Sequence, residues 1–88
     1  MPTISMFQGI IIRMYTGGRE HEPAHIHAWY QGAEASFSVL DCSLMNGEIP
    51  LGKRRLVEAW IELRREELLA DWELARSGQA LEKIAPLR

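Results

Sequence analysis

Residues 21–39 decide the fold of this chain, and they read HEPAHIHAWYQGAEASFSV. Apolar and polar side chains alternate along residues 25–30 and again along residues 33–39, which is the pattern of two β-strands with one buried face. Gln31-Gly32 separates the two runs and is typical of a two-residue hairpin turn. This turn would pair Tyr30 with Ala33 and would set every pair beyond them. The stretch therefore predicts a β-hairpin of defined register.

The two faces of this hairpin differ in chemistry. One face would bury apolar side chains such as Ile26 and Phe37. The other would carry, in the predicted register, His25 across from Ser38, His27 across from Ser36, and Trp29 across from Glu34. A slip of one residue would bury the histidines and expose Phe37, so we expect the register to be well specified and the histidines to face solvent.

Shorter signals place the other strands. Residues 3–7 and 10–15 are rich in β-forming side chains and flank Gln8-Gly9, which predicts a first hairpin. After the fourth strand, turn chemistry is supplied by Asp41-Cys42-Ser43 and by Asn46-Gly47, and Asn-Gly favours a tight turn with positive φ angles. We expect a short fifth strand or an irregular return around Leu44 and residues 48–49.

From Lys53 the apolar spacing becomes helical, and the run ends at Gly78, a residue type common at helix C-termini. The apolar stripe comprises Val57, Ile61, Leu68, Trp72 and Ala75, widened by Leu56, Trp60, Leu63 and Leu69. A helix of this length would span ~37 Å at 1.5 Å per residue. That is long for so small a domain, so we expect it to bend or to split in two near Arg64-Arg65-Glu66, where the stripe is interrupted.

The predicted fold is α+β and two-layered. An antiparallel β-meander of four to five strands packs against a C-terminal amphipathic helix, bent or split in two. Its 88 residues suffice for a single domain, 1–88, with a β half at 3–50, a helical half at 53–78 and a docking tail at 79–88.

Composition narrows the class of protein. Hydrophobic residues make up 47% and charged residues 25%, as in an ordinary globular protein. The net charge of −2 argues against binding nucleic acid by bulk attraction, although a local basic patch is compatible with it. Cys42 is the only cysteine, which excludes an intrachain disulfide and fits a reducing compartment. The sequence contains neither a membrane span nor a signal-peptide pattern, so we expect a cytoplasmic protein without membrane contact.

The histidines are the strongest candidates for chemistry, because His21, His25 and His27 are the only three in the chain. Two imidazoles at i and i+2 on a strand can serve as general base and general acid near neutral pH. With the third, they could instead bind a metal such as zinc and leave a position open for water. No strongly placed fourth ligand is present, so we expect no cofactor and keep zinc as the alternative. A third interpretation is that the imidazoles only stabilise the sheet edge through hydrogen bonds.

Five further residues are candidates for substrate contacts. The predicted helix start carries three cations, Lys53, Arg54 and Arg55, although the helix dipole disfavours positive charge there. A bound phosphate of RNA or of a nucleotide would offset the repulsion between these cations and the helix N-terminus. The alternative is a solvated helix start in which Arg54 pairs with Glu58. Arg13 and Trp29 share the polar face, where the arginine could hold a phosphate and the indole could stack on a base. The alternative for Trp29 is that the chain terminus covers it.

Cys42 follows Asp41 in a turn with no nearby cation, which argues against a nucleophilic role.

Several of these motifs together resemble the small bacterial domain-of-unknown-function family 4160. The matching residues span nearly the full chain and are Pro2-Thr3-Ile4, Gly9-Ile10, His21-x-Pro23-x-His25-x-His27, Gly47, Pro50, Trp60-Ile61-Glu62-Leu63, Glu67-Leu68-Leu69, Trp72-Glu73-Leu74, Ile84 and Pro86-Leu87. Ala24 and Ile26 depart from the commoner form of the motif, which has a proline and an aromatic residue there.

The resemblance implies a toxin-like component of a bacterial toxin–antitoxin module, with His21, His25 and His27 as the catalytic or binding residues. Toxins of this kind often cleave RNA. Our leading hypothesis is therefore an endoribonuclease-type domain with a small antitoxin-like protein partner, and homodimerisation is compatible with it. The alternatives are a non-catalytic module that grips a partner with its His/Trp face, and a histidine metal-binding domain.

Overall fold

A computed structural model describes residues 2–15 and 23–87. The elements in this part of the chain are β1 (Thr3–Phe7), β2 (Ile10–Arg13), β3 (His25–Tyr30), β4 (Ala33–Ser38), β5 (Leu44–Gly47) and α1 (Leu51–Arg76). The strands form one antiparallel sheet in the order β1-β2-β3-β4-β5. The predicted α+β meander with a C-terminal helix is thus confirmed.

The register of the central hairpin, β3 with β4, is the one that the two-residue turn predicts. Tyr30 pairs with Ala33, and the pairing continues without interruption to His25 opposite Ser38. Gln31 and Gly32 both adopt left-handed angles, with φ of 48° and 84°. Two successive positive φ angles define the type I′ turn, whose twist matches that of the flanking strands.

The apolar face of the sheet packs into one core with the helix. Ile26, Ala28 and Phe37 are fully buried together with Trp60 and Ile61 of α1. Burying one large apolar side chain stabilises a fold by about 1.5–3 kcal/mol, so this layer contact holds the helix to the sheet. Of the predicted helical stripe, the five principal residues are all buried.

The helix differs from the prediction at its beginning and is bent where expected. It begins at Leu51 rather than at Lys53, because Pro50 fixes an extended N-cap and its carbonyl accepts the first bond from the Arg54 amide at 2.9 Å. Inside it, Arg64 has non-helical angles of φ −113° and ψ 19°, which confirms the predicted bend. Leu63, just before that bend, is 69% exposed, so its assignment to the buried stripe was wrong.

The C-terminal tail after Gly78 docks without regular secondary structure. The Ile84 amide donates to the Ile4 carbonyl at 2.8 Å, which covers the outer edge of β1. The indole Nε1 of Trp60 donates to the Ala85 carbonyl at 2.8 Å. In addition, Oδ1 of the buried Asp71 accepts from the Glu82 amide at 3.0 Å. These three bonds use backbone groups of the tail, and a fourth runs from Nζ of Lys83 to the Thr3 carbonyl at 2.9 Å. The Ile84 side chain is also buried in the core, so both the backbone and the side chains of the tail dock it.

Asn46-Gly47 does not form the turn that the sequence suggests. Both residues belong to β5, and the reversal after β4 is made by residues 39–43, where Cys42 has a φ of 64°. This segment contains Asp41-Cys42-Ser43, the other turn that the sequence predicts. Met45 is an extra residue opposite the Ser36/Phe37 step and forms a bulge. Gly47 has a φ of 75°, and a Cβ there would collide with the Glu34 carbonyl oxygen.

No helix in the described part of the chain is long and apolar enough to cross a membrane.

We expect Gly47→Ala to destabilise the fold far more than Gly32→Ala. Both glycines have positive φ, which costs another residue about 1–2 kcal/mol, but a Cβ at Gly32 meets no atom within 4 Å. The collision at Gly47 should add about 1–3 kcal/mol of overpacking. Urea unfolding of both variants measures the difference, and equal losses would show that the close approach to Glu34 is unimportant.

We expect the buried Asp71 to make stability depend on pH. Burial raises the pKa of this carboxyl above its ordinary value of 3.8. The hydrogen bond from the Glu82 amide opposes this increase, and the negative charges of Glu82 and Glu67 add to it. The folded state therefore holds the proton more tightly than the unfolded state, and stability falls as the pH rises through this window. The asparagine of Asp71→Asn cannot ionise. The free energy of unfolding of this variant should therefore increase relative to that of the wild type as the pH rises from acidic to neutral. Unfolding titrations measure this, with Glu62→Gln as the exposed control, and parallel curves would contradict it.

Candidate functional site

A row of polar residues crosses the sheet on the face opposite the core. The strand registers place Arg13 opposite His27, His27 opposite Ser36, and Ser36 opposite Asn46. Four neighbouring strands thus contribute one polar residue each at the same level of the sheet. The sequence predicts His27 opposite Ser36 and places Arg13 on the same face. The strand pairings set Arg13 directly opposite His27 and add Asn46.

His27 is the best-defined member of this row. Its Nδ1 lies 3.2 Å from Oε2 of Glu34, which is the diagonal cross-strand neighbour. The Tyr15 ring meets the imidazole edge-on, with 4.4 Å between the ring centroids and an interplanar angle of 88°. The His27 side chain is only 17% exposed and its Nε2 is buried, so the predicted solvent-facing imidazole is in fact largely enclosed.

A cleft of about 290 Å³ opens beside this pair. The residues that line it are Tyr15, His27, Glu34, Ala35, Ser36, Asn46 and Gly47. Glu34 is more exposed than His27, at 36% of its side chain. The cleft thus combines a carboxylate, an imidazole, a hydroxyl and an amide, which are groups that can bind and deprotonate a polar ligand.

His25 lies next to the cleft but does not line it. Its Nδ1 donates to the Pro23 carbonyl at 2.8 Å, which fixes the ring at the start of β3. The ring centroid lies 5.3 Å from that of His27 and 5.1 Å from that of Trp72 on the helix. His25 therefore connects the polar face to the helix by ring packing. The two histidines lie close together but have different partners, Pro23 and Trp72 for His25 and Glu34 and Tyr15 for His27.

Arg13 and Trp29 form a second contact on the polar face. The Arg13 guanidinium carbon lies 5.5 Å from the centre of the Trp29 ring, within the range of a cation–π interaction. Both side chains are half-buried. Arg13 is thus held beside His27 by the indole, and the structure brings together both of these predicted substrate contacts.

The structure separates the basic turn from the histidines. Lys53 Nζ donates to the Gln8 carbonyl at 3.2 Å and lies 5.1 Å from the centre of the Tyr30 ring, at the helix side of the sheet. Arg54 pairs with Glu58 at 3.1 Å, as the simpler alternative predicts. Arg55 is exposed and lines a different cleft, beside Ser43. These three residues share no site with His27.

The metal hypothesis cannot be assembled from the described residues. His21 lies outside them, and among residues 2–15 and 23–87 no three His, Cys, Asp or Glu side chains are grouped so that they could hold a metal ion. A site made of His21, His25 and His27 stays a prediction.

Cys42 has a cationic neighbour that the sequence does not reveal. Nη2 of Arg65 lies 3.2 Å from its Sγ, and Nε of the same arginine donates to the Val39 carbonyl at 2.8 Å. The prediction that Cys42 has no nearby cation was therefore wrong, because the helix brings Arg65 to it from 23 residues away in the sequence. In the same turn, hydrogen bonds from the Ser43 side chain and backbone hold the pKa of Asp41 below its ordinary value.

Glu34 and Asn46 are the site residues that sequence reasoning missed or undervalued. Glu34 is expected across from Trp29, and it does pair there, yet its carboxylate turns diagonally to His27. Asn46 was assigned to a turn and is instead a strand residue in the polar row. The strand alternation could have identified Glu34, but the bulge at Met45 hides Asn46 from any pattern of period two.

The fold and site together define a small α+β domain whose sheet is covered by a helix on one face and carries a histidine-centred polar cleft on the other. Residues 9–73 match the family described as domain of unknown function DUF4160, and the chain belongs to that family. The comparisons with curated proteins and with solved structures gave no match.

We expect His25→Ala to lower the free energy of unfolding by about 1–2 kcal/mol, because it removes a hydrogen bond and a ring contact with Trp72. His25→Asn keeps a donor for the Pro23 carbonyl and should recover part of this loss. Urea unfolding followed by tryptophan fluorescence measures both. A His25→Ala variant as stable as the wild type would show that this ring has no packing role.

Proposed function

We propose that the polar cleft is an acid–base site that cleaves RNA, in a cytoplasmic toxin-like protein. The observation that carries the proposal is the His27–Glu34 pair at the cleft with Arg13 directly opposite His27 in the sheet. A carboxylate paired with an imidazole can accept a proton from a substrate hydroxyl, and a neighbouring guanidinium can stabilise a phosphate.

The reaction would be an internal transesterification. The pair accepts the proton of a ribose 2′-hydroxyl, whose oxygen then forms a bond to phosphorus while the bond to the 5′-oxygen breaks. The leaving oxygen takes a proton from water, which leaves a 2′,3′-cyclic phosphate and a 5′-hydroxyl. Arg13 offsets the phosphate charge during this step.

The residue proposed to bind the phosphate is Arg13 and not one of the three cations at the helix start. The chain has a net charge of −2, so RNA binding would depend on a local cation rather than on bulk attraction. Arg13 is on the same face as His27, whereas Lys53, Arg54 and Arg55 contact the turn, the helix or another cleft. We therefore assign the phosphate contact to Arg13 alone.

A non-catalytic partner-binding module is the second candidate. The observation in its favour is that Nδ1 of His25 bonds to the Pro23 carbonyl and Nδ1 of His27 to Glu34, as in imidazoles that stabilise a surface. In this case the His/Trp face would hold a small antitoxin-like partner or a second copy of the chain. It predicts co-purification that is lost in Trp29→Ala, with no RNA cleavage by the free protein.

We expect Arg13→Ala and His27→Ala each to reduce RNA cleavage and to relieve toxicity on expression. Loss of a charged phosphate contact costs about 1.5–3 kcal/mol, so Arg13→Ala should slow cleavage by about 10- to 100-fold. Cleavage of a labelled single-stranded RNA, with products separated by size, measures the effect.

The control is the double variant Lys53→Ala/Arg55→Ala, which leaves the Arg54–Glu58 pair intact and lies away from the cleft. It should cleave at the wild-type rate. A control variant that loses activity while Arg13→Ala retains it would place the site at the helix start instead. Circular dichroism of every variant verifies the fold.

A further inference from the structure

The two members of the His27–Glu34 pair are not equivalent. Oε2 of Glu34 is 3.2 Å from Nδ1 of His27, and the other nitrogen of that imidazole, Nε2, is buried. Neither nitrogen of His27 is therefore directed into open solvent. Glu34 has twice the exposed fraction, 36% against 17%, and its carboxylate lines the cleft.

From this asymmetry we infer that Glu34 is the residue that contacts the ligand and accepts its proton, and that His27 is a positioning residue. This inference rests on the proposed function and reverses the roles that the histidine motif alone suggests. Nδ1–H of His27 donates to one carboxylate oxygen and leaves the other for the 2′-hydroxyl of RNA. The Tyr15 ring, edge-on at 4.4 Å, limits rotation of the imidazole.

Backbone contacts also fix the position of Glu34, in addition to its side-chain bond with His27. Glu34 follows the Gln31-Gly32 turn and pairs with Trp29. Its carbonyl accepts from the Glu48 amide at 3.1 Å, and Gly47 packs closely against the same carbonyl. The backbone of Glu34 is thus held from β3 and from the end of β5, while its carboxylate is held by His27. A side chain that acts in catalysis requires this kind of rigid backbone support together with a partner that orients its reactive group.

The first test compares Glu34→Gln with His27→Asn in RNA cleavage. Glutamine has the shape of glutamate and cannot accept the proton, so kcat should fall on the order of 100-fold or more with little change in KM. Asparagine places an N–H donor near the position of Nδ1, so His27→Asn should retain far more activity than His27→Ala. Glu62→Gln, on the exposed helix surface, is the matched control and should leave kcat unchanged.

The inference is overturned if Glu34→Gln retains activity while His27→Asn loses as much as His27→Ala, since the imidazole would then be the proton acceptor. A wild type that cleaves no RNA contradicts the proposed function, and a second measurement then decides the inference by itself.

That measurement is chemical modification with and without a 2′-O-methyl RNA decamer of mixed sequence, which has no 2′-hydroxyl to react. Carbodiimide-mediated coupling of an amine should label Glu34 and be blocked by the decamer, while diethyl pyrocarbonate should leave His27 unlabelled in both states. Mass spectrometry of the digested chain locates the labels. Labelling of His27 that the decamer blocks, or labelling of Glu34 that it does not block, would overturn the inference.

Discussion

Two consecutive left-handed residues, Gln31 and Gly32, set the geometry on which the rest of the molecule depends. A type I′ turn admits one pairing of the strands on either side, and that pairing places Ile26, Ala28 and Phe37 on a single buried face. Because side chains alternate, the same register places His27, Ser36 and Glu34 together on the opposite face. The core and the candidate site therefore have one common cause, and neither could shift without the other.

The polar face is more enclosed than an amphipathic sheet requires. Ser36 and Ser38 are buried, and the imidazole of His27 is confined between Glu34 and the Tyr15 ring. Enclosure of this kind restricts rotamers and weakens competition from water, which strengthens each polar contact. It also decides which atoms a ligand can reach. In this cleft those atoms belong to the carboxylate more than to the imidazole.

The helix and the tail connect the two faces of the sheet. α1 is bent at Arg64, and Trp72 in its second half contacts the His25 ring with 5.1 Å between centroids. The neighbouring Asp71 accepts from the Glu82 amide and so anchors the tail. Tail docking, helix position and the start of β3 are thus parts of one packed unit, and a change in one is felt at the others through rigid contacts.

Local chemistry let the sequence determine the β3–β4 register, the apolar stripe of the helix, the bend near Arg64 and the grouping of His25 and His27 on one face. Each of these follows from a turn type or a periodicity that spans only a few residues. The sequence misplaced Asn46, Leu63 and the helix start, because a bulge, a bend and a proline cap interrupt the period. Only the tertiary structure decided that Arg65 meets Cys42, that residues 53–55 lie apart from His27, and that Glu34 turns to His27. Those contacts depend on how distant elements pack and on which rotamer fills the space, and no local pattern encodes either.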